Sequence, residues 1–155
     1  MSIVKHIPNT ITCCNLLSGC VSILLLCQNN VLGSSVMIFV AAIFDFFDGF
    51  AARLLNAKSP IGGELDSLSD VVSFGVAPSF IIAMLLSKTG ISWMVADVNV
   101  FPMLAFILAA FAAVRLAKFN IDTRQSSSFI GLPVPAVGLF IASLPLMLAH
   151  ISSES

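Results

Sequence analysis

The sequence predicts an all-α protein, a polytopic bundle of transmembrane helices, and three observations support this class. Apolar residues make up 58% of the 155-residue chain, and charged residues make up only 10%, well below the roughly 25% of soluble domains. Long apolar stretches alternate with short polar connections. Helices pair all their backbone polar groups within one segment, as a lipid environment requires. The net charge of -1 argues against a nucleic-acid partner.

A helix that crosses a bilayer needs roughly 17–25 mostly apolar residues. Five segments meet this requirement, with approximate bounds 11–28, 31–55, 65–87, 101–119 and 134–151. We expect one domain over residues 1–155. The first span lacks a small-residue cleavage site, so we interpret it as a retained helix rather than a signal peptide. The connection after the third span carries the single tryptophan, Trp93, which is typical of a membrane-interface segment.

Four cysteines, Cys13, Cys14, Cys20 and Cys27, all lie in the first apolar segment. Three of them recur at heptad spacing, which places them on one face of a helix. A metal or redox site needs a CxxC pair or histidines at ligand spacing, and the segment has neither. We therefore interpret the cysteines as small apolar packing residues of a membrane helix.

The basic residues predict the orientation. With the N-terminus in the cytoplasm, one side of the membrane carries Lys5, Arg53, Lys58, Arg115, Lys118 and Arg124. Only Lys88 then lies on the other side. Positive charge accumulates on the cytoplasmic side of membrane proteins. We expect a multi-pass protein of the cell inner membrane whose N-terminus faces the cytoplasm.

The segment 45–70 holds five of the eight acidic residues of the chain. Asp45 and Asp48 are spaced i, i+3 near the cytoplasmic end of the second span. Asp66 and Asp70 are spaced i, i+4 at the start of the third span. Each spacing puts both carboxylates on one helix face, and the short connection makes the two helices antiparallel neighbours. We expect the four to converge in a cleft open to the cytoplasm, with Glu64 as a capping or solvated charge.

Four ionised carboxylates in one cleft need compensating charge. Two of them about 6 Å apart repel by roughly 3 kcal/mol at an effective dielectric of 20, and Arg53 alone offers little compensation. Hard divalent cations prefer such oxygen ligands, and four carboxylates suit two ions. We expect two Mg²⁺ or Mn²⁺ ions held by Asp45, Asp48, Asp66 and Asp70.

Alternative interpretations of the carboxylates remain open. An acidic group in a membrane helix also suits a proton or cation path, as in a transporter. A transporter predicts acidic or polar residues at the midplane of the other spans, and we expect almost none there. Asp66 and Asp70 also suit the positive end of a helix dipole, but this leaves Asp45 and Asp48 unexplained. A non-catalytic membrane scaffold explains none of the spacing.

Small residues lie next to the acidic ones. Gly49 and Ala52 leave the helix face beside Asp48 without bulk, which lets a flat group approach the backbone. The alternative is close packing of two helices through small residues. On the first helix, Asn9 and Thr12 suit either a ligand pocket or a helix start.

The spacing of the whole segment is Asp-x2-Asp-Gly-x2-Ala-Arg-x8-Gly-x3-Asp-x3-Asp. Its fixed positions are Asp45, Asp48, Gly49, Ala52, Arg53, Gly62, Asp66 and Asp70. This pattern resembles the signature of the CDP-alcohol phosphotransferase family. Members are integral membrane enzymes that move a phosphoryl-alcohol group from a CDP-alcohol to an acceptor hydroxyl and release CMP. The resemblance implies a six-helix core, of which five spans are visible here, so we expect the sixth to be absent or truncated at the C-terminus.

The resemblance also implies roles for individual residues. The four aspartates would ligate two divalent ions, and Asp70 would also be the general base on the acceptor hydroxyl. The nucleotide-binding residues would be Gly49, Ala52, Arg53, Asn9, Thr12 and Asn15.

The acceptor is suggested by a second segment. "RLAKFNIDTRQSSSFIGLPVPA", residues 115–136, resembles the phosphatidylserine synthase branch of the family, as does the opening "PNTITCCNLLSG". This implies CDP-diacylglycerol and L-serine as substrates, and a homodimer. Arg115, Lys118 and Asn120 would bind the serine carboxylate or the lipid phosphate. Lys118 replaces the more usual Arg and loses the bidentate fork.

Two alternatives concern this acceptor segment. Positive-inside charge at a helix end would by itself explain Arg115 and Lys118. The other acceptors considered, glycerol 3-phosphate and an inositol phosphate, need further basic residues near the cleft.

Overall fold

The computed structural model describes residues 6–57, 59–121 and 131–154. Its α-helices are α1 (His6–Cys27), α2 (Val31–Leu54), α3 (Pro60–Asp70), α4 (Ala77–Ser87), α5 (Ile107–Ile121) and α6 (Val134–Glu154). A π-helical segment, Val71–Val76, joins α3 to α4, and a 3₁₀ helix, Phe101–Phe106, leads into α5. Two short strands, β1 (Met94–Val95) and β2 (Val98–Asn99), pair antiparallel. Lys5, Lys58 and Arg124 lie outside the described residues.

Within the described residues, five helical stretches are long and apolar enough to cross a membrane. They are His6–Cys27, Val31–Leu54, Pro60–Ser87, Phe101–Ile121 and Val134–Ile151. The chain is an integral multi-pass membrane protein, and the predicted all-α bundle is confirmed apart from the small hairpin. Two predicted boundaries are wrong, because the first span begins at His6 rather than at residue 11 and the third at Pro60 rather than at residue 65.

The early start of the third span has a local cause. The Ser59 hydroxyl accepts a hydrogen bond from the Gly62 backbone N–H at 3.0 Å, and Pro60 occupies the first turn. A serine cap followed by proline is a strong helix start. Asp66 and Asp70 therefore lie well inside the helix. The helix-dipole interpretation fails for them, because that effect fades beyond the first turn.

Serine hydroxyls join α3 and its π-helical continuation to α1. Ser69 Oγ donates to the Thr12 carbonyl oxygen at 2.9 Å, and Ser73 Oγ donates to the Asn15 carbonyl oxygen at 3.0 Å. The paired positions increase together along both helices, so α1 and α3 run parallel. The α2 helix returns the chain between them, which leaves the starts of α1 and α3 at the same end of the bundle.

The α1 helix turns its small and polar residues inward. Its buried residues are Pro8, Thr12, Asn15, Ser18, Gly19, Ser22 and Leu26. Leu17 and Leu24 are exposed, as are Cys13, Cys20 and Cys27. The predicted packing role is therefore wrong for these three cysteines. Membrane helices pack through small residues because lipid already solvates the large apolar side chains.

The π-helical segment is closely enclosed by its neighbours. A Cβ atom on Gly19 of α1 would lie 2.9 Å from Ser73 Cα, and one on Gly138 of α6 would lie 2.9 Å from Phe74 Cα. Only glycine allows backbones to approach this closely. Since the segment begins directly after Asp70, these contacts hold that aspartate at a defined depth in the bundle.

The hairpin between the third and fourth spans is organised by one side chain. Asn99 Oδ1 accepts from the backbone N–H groups of Trp93 at 3.0 Å and Phe101 at 3.1 Å, and Asn99 Nδ2 donates to the Ile91 carbonyl oxygen at 3.3 Å. Its exposed apolar side chains are Ile91, Trp93, Met94, Val95 and Val98. With its polar backbone paired, the hairpin can rest against the membrane interface.

Trp93 reports directly on this contact because it is the single tryptophan of the chain. In proteoliposomes we expect blue-shifted emission, weak quenching by aqueous acrylamide, and stronger quenching by lipids labelled near the headgroup than by lipids labelled at the chain end. Free tryptophan in buffer is the reference. Emission and acrylamide quenching equal to that reference would contradict membrane contact.

Candidate active site

Carboxylates from α2 and α3 meet as the spacing predicts. One carboxylate oxygen each from Asp45, Asp48 and Asp66 lies within 4.8 Å of the others. Asp45 also lies beside Asp70, which follows Asp66 by one turn on α3. The i, i+3 and i, i+4 spacings thus produce one cluster, which extends from the cavity-facing Asp48 and Asp66 inward to Asp70.

The cluster contains oxygens that lack a hydrogen-bond donor. Asp48 and Asp70 are only 5% and 6% exposed. Among the described residues, the buried side-chain atoms without a partner are Asn15 Oδ1, Asp48 Oδ2 and Ser35 Oγ, and the first two belong to this site. A buried unpaired carboxylate oxygen is costly. Hard divalent cations supply the positive charge that such an oxygen-rich set needs, so the donor set fits Mg²⁺ or Mn²⁺.

The α1 helix contributes neutral polar groups to the same cluster. Thr12 lies beside Asp48, and its hydroxyl donates to the Pro8 carbonyl oxygen at 3.0 Å. Asn15 Nδ2 donates to Asp70 Oδ1 at 3.2 Å. The α1 helix therefore gives Asp48 a neutral neighbour and Asp70 a neutral hydrogen-bond donor.

A cavity of about 240 Å³ opens beside the carboxylates. Its lining residues are Pro8, Asn9, Thr12, Asp48, Gly49, Ala52, Ala57, Ser59, Gly62, Gly63 and Asp66. Four of the residues predicted to bind a nucleotide, Asn9, Thr12, Gly49 and Ala52, are among them. A Cβ atom on Gly62 would lie 3.1 Å from both Asn9 Oδ1 and Ser59 Oγ, so a side chain there would narrow the cavity.

The other two predicted nucleotide-binding residues lie elsewhere. Arg53 is exposed, and its Nε donates to the Gly49 carbonyl oxygen at 2.9 Å, so its guanidinium lies at the rim. Asn15 is buried against Asp70. Neither residue lines the cavity.

Arg115 lines a different, largely apolar cavity of about 320 Å³. The wall consists of Phe74, Leu108, Phe111, Ala112, Arg115, Leu132, Val134 and Val137. This cavity lies among α5, the start of α6 and the π-helical segment. Phe74, one turn beyond Asp70, is the lining residue closest in sequence to the carboxylate cluster.

Lys118 and Asn120 have different surroundings from Arg115. The Asn120 amide pairs with the hydroxyl of Ser67, with contacts of 3.0 and 3.2 Å, and Ser67 directly follows Asp66. Lys118 is exposed. Asn120 therefore ties the end of α5 to the carboxylate helix, a contact between residues 53 positions apart that the sequence could not predict.

A carboxylate cluster beside a cavity that Asn9, Thr12 and Ser59 line in part, at one end of a membrane bundle, suits a metal-assisted membrane enzyme. The sequence model described as CDP-alcohol phosphatidyltransferase matches residues 5–154. The chain belongs to the CDP-alcohol phosphatidyltransferase family. The predicted family and the prediction of a transferase are confirmed.

Curated relatives carry more specific names. The CDP-diacylglycerol–serine O-phosphatidyltransferase of Bacillus subtilis is 36% identical over 150 residues, which cover 94% of this chain and 81% of that protein. The Methanocaldococcus jannaschii protein of the same name is 36% identical over 135 residues, 87% of this chain and 58% of that protein. The archaetidylserine synthase of Methanothermobacter thermautotrophicus is 32% identical over 142 residues, 90% of this chain and 58% of that protein.

Metal binding is testable through stability. Mn²⁺ at a hundredfold excess over its Kd should stabilise the detergent-purified protein by about 2.7 kcal/mol, measured as a rise in Tm over the metal-free sample. In Asp48→Asn the rise should disappear, while the metal-free Tm should increase because one repelling charge is gone.

Glu64→Gln is the matched control, since Glu64 is an exposed acidic residue of the same α3 helix as Asp66. It should keep the full Mn²⁺ response. A wild-type protein without any response, or equal losses in both variants, would show that the carboxylates hold no metal.

Proposed function

We propose that this protein transfers the phosphatidyl group of CDP-diacylglycerol to the hydroxyl of L-serine, giving phosphatidylserine and CMP. The observation that carries the proposal is the convergence of Asp45, Asp48 and Asp66, with Asp70 beside Asp45, next to a cavity at one end of α1–α3. Membership of the family supports the transfer chemistry. The names of the Bacillus and Methanocaldococcus relatives support serine as the acceptor.

The nucleotide of the donor occupies the 240 Å³ cavity. Gly49 and Ala52 give it a wall without bulk, while Asn9 and Thr12 offer hydrogen bonds from α1. The guanidinium of Arg53 at the rim faces the phosphates. The acyl chains remain in the bilayer, which explains why a soluble nucleotide and a lipid meet at the end of a membrane bundle.

Asp45, Asp48, Asp66 and Asp70 hold two Mg²⁺ or Mn²⁺ ions in this proposal. When bound, the ions offset the carboxylate charge and stabilise the negative charge that develops on the leaving phosphate. The unpartnered Asp48 Oδ2 is the oxygen of the cluster with the clearest need for such a partner.

Asp70 acts as the general base. It takes the proton of the serine hydroxyl, whose oxygen forms a bond to the lipid-side phosphorus. The bond from this phosphorus to the bridging oxygen breaks, and its electron pair leaves with CMP. Arg115 and Lys118 bind the serine carboxylate or the lipid phosphate, and Asn120 adds an amide contact.

The orientation follows from the same chemistry. Serine and the nucleotide are water-soluble, so the end of the bundle that carries the carboxylates faces the cytoplasm of a cell with this protein in its inner membrane. The distribution of basic residues supports this orientation. The homodimer stays a prediction of the family resemblance.

The acceptor can be identified by a CMP-release assay. Purified protein with Mn²⁺ or Mg²⁺ and CDP-diacylglycerol is supplied in turn with L-serine, glycerol 3-phosphate and an inositol phosphate. We expect CMP release to depend on serine and on the metal, with phosphatidylserine as the lipid product. Release with either phosphorylated acceptor, but not with serine, would assign a different alcohol to the same chemistry.

The base assignment has a separate test. Asp70→Asn keeps the shape of the side chain but removes the proton acceptor, so kcat should fall by about 10²–10⁴-fold. Glu64→Gln serves again as the control and should keep its kcat. Activity of Asp70→Asn close to that of the wild type would exclude Asp70 as the base.

A further inference from the structure

We infer that Asn15 is a positioning residue for Asp70 rather than a contact of the nucleotide. Its amide holds Asp70 Oδ1 and so fixes the orientation of the carboxylate that, in the proposed function, binds a metal ion and takes the acceptor proton. The inference rests on the proposed function, since it concerns the group that takes the acceptor proton.

The first observation is the position of Asn15. The residue is fully buried, at 0% exposure, and its Nδ2 donates to Asp70 Oδ1 at 3.2 Å. It does not line the nucleotide cavity, although Thr12, one turn earlier on α1, does. On α1, Thr12 therefore lines the nucleotide cavity, whereas Asn15 contacts Asp70 at the inner end of the carboxylate cluster.

The second observation is how firmly α1 is fixed at this point. The Asn15 carbonyl oxygen accepts from Ser73 Oγ at 3.0 Å, and the Thr12 carbonyl oxygen accepts from Ser69 Oγ at 2.9 Å. One turn after Asn15, Gly19 brings the helix so close that its Cβ would lie 2.9 Å from Ser73 Cα. These contacts keep the Asn15 side chain on Asp70 and away from the cavity.

The third observation is the unpaired oxygen of the same amide. Asn15 Oδ1 is buried without a hydrogen-bond partner among the described residues, and an unsatisfied buried acceptor lowers stability. An apolar side chain at this position would avoid that cost. A residue that lowers stability in this way, at the centre of the site, is better explained by its effect on Asp70 than by packing.

The chemistry favours an amide for this task. A Lys or Arg at the same distance would neutralise Asp70 and weaken it as a proton acceptor. A neutral N–H donor orients the carboxylate and leaves its charge for the metal ions and the acceptor proton. Partners of this kind, one step removed from the reacting atoms, typically contribute 10–100-fold to activity or metal affinity.

The test separates kcat from KM. At saturating Mn²⁺, Asn15→Leu should lower kcat by about 10–100-fold, with the KM for CDP-diacylglycerol and inhibition by CMP unchanged. Asn15→Gln keeps an amide donor and should retain more activity than Asn15→Leu. A role in nucleotide binding predicts the opposite, with weaker CMP inhibition and a higher KM. That result, or a wild-type kcat in Asn15→Leu, would overturn the inference.

Two further variants guard against misfolding. Ser22→Ala is the matched control, because Ser22 is also buried on α1 and bonds across to Ser34 of α2 at 2.9 Å, away from the carboxylates. It should leave kcat unchanged. Ser73→Ala removes the bond to the Asn15 carbonyl oxygen, and it should produce a smaller loss of kcat with the same unchanged KM.

A readout without turnover separates this inference from the proposed function. Mn²⁺ binding, followed by the electron paramagnetic resonance signal of the free ion, should weaken about tenfold in Asn15→Leu and remain unchanged in Ser22→Ala. If the wild-type protein releases CMP with a different acceptor, the serine assignment fails. The kcat and KM of Asn15→Leu and wild type are then compared with that acceptor. Unchanged Mn²⁺ binding together with unchanged kcat in Asn15→Leu would show that Asn15 does not position Asp70.

Discussion

Mutual repulsion of carboxylates inside an apolar bundle is the constraint on which the rest of this structure depends. At the 4.8 Å limit that encloses Asp45, Asp48 and Asp66, each ionised pair costs about 3 kcal/mol at an effective dielectric near 20. Several such pairs would consume most of the 5–15 kcal/mol that stabilises a typical fold. The neighbouring helix therefore presents small and neutral polar side chains, and divalent cations would supply the charge that offsets this repulsion.

The features that follow from regular spacing could be predicted from the sequence. Apolar segment lengths were sufficient for five spans, and the i, i+3 and i, i+4 spacings were sufficient to place four aspartates together. The third span showed the limit of hydropathy alone, because glycines and Glu64 dilute its first turns. The Ser59-Pro60 start was visible in the sequence and would have corrected the boundary.

Burial of α1 could not be predicted from hydrophobicity. In water Leu17 would pack inward and Asn15 outward, but lipid removes the penalty for exposing leucine. The protein-facing side is then marked by small and polar residues rather than by large apolar ones. The predicted packing role of Cys13, Cys20 and Cys27 was wrong for this reason. Contacts such as Asn15 with Asp70, 55 positions apart, and the π-helical segment depend on how the helices fit together, which no local pattern encodes.

The positions of the site residues along the chain have a consequence for insertion of the protein into the membrane. All four clustered aspartates and the full lining of the 240 Å³ cavity lie between Pro8 and Asp70, within the first three spans. A ribosome that has delivered these spans to the membrane has already delivered a complete carboxylate site. The later spans then add Arg115 with its apolar cavity, and they bring Asn120 and Gly138 against the span that carries Asp66 and Asp70.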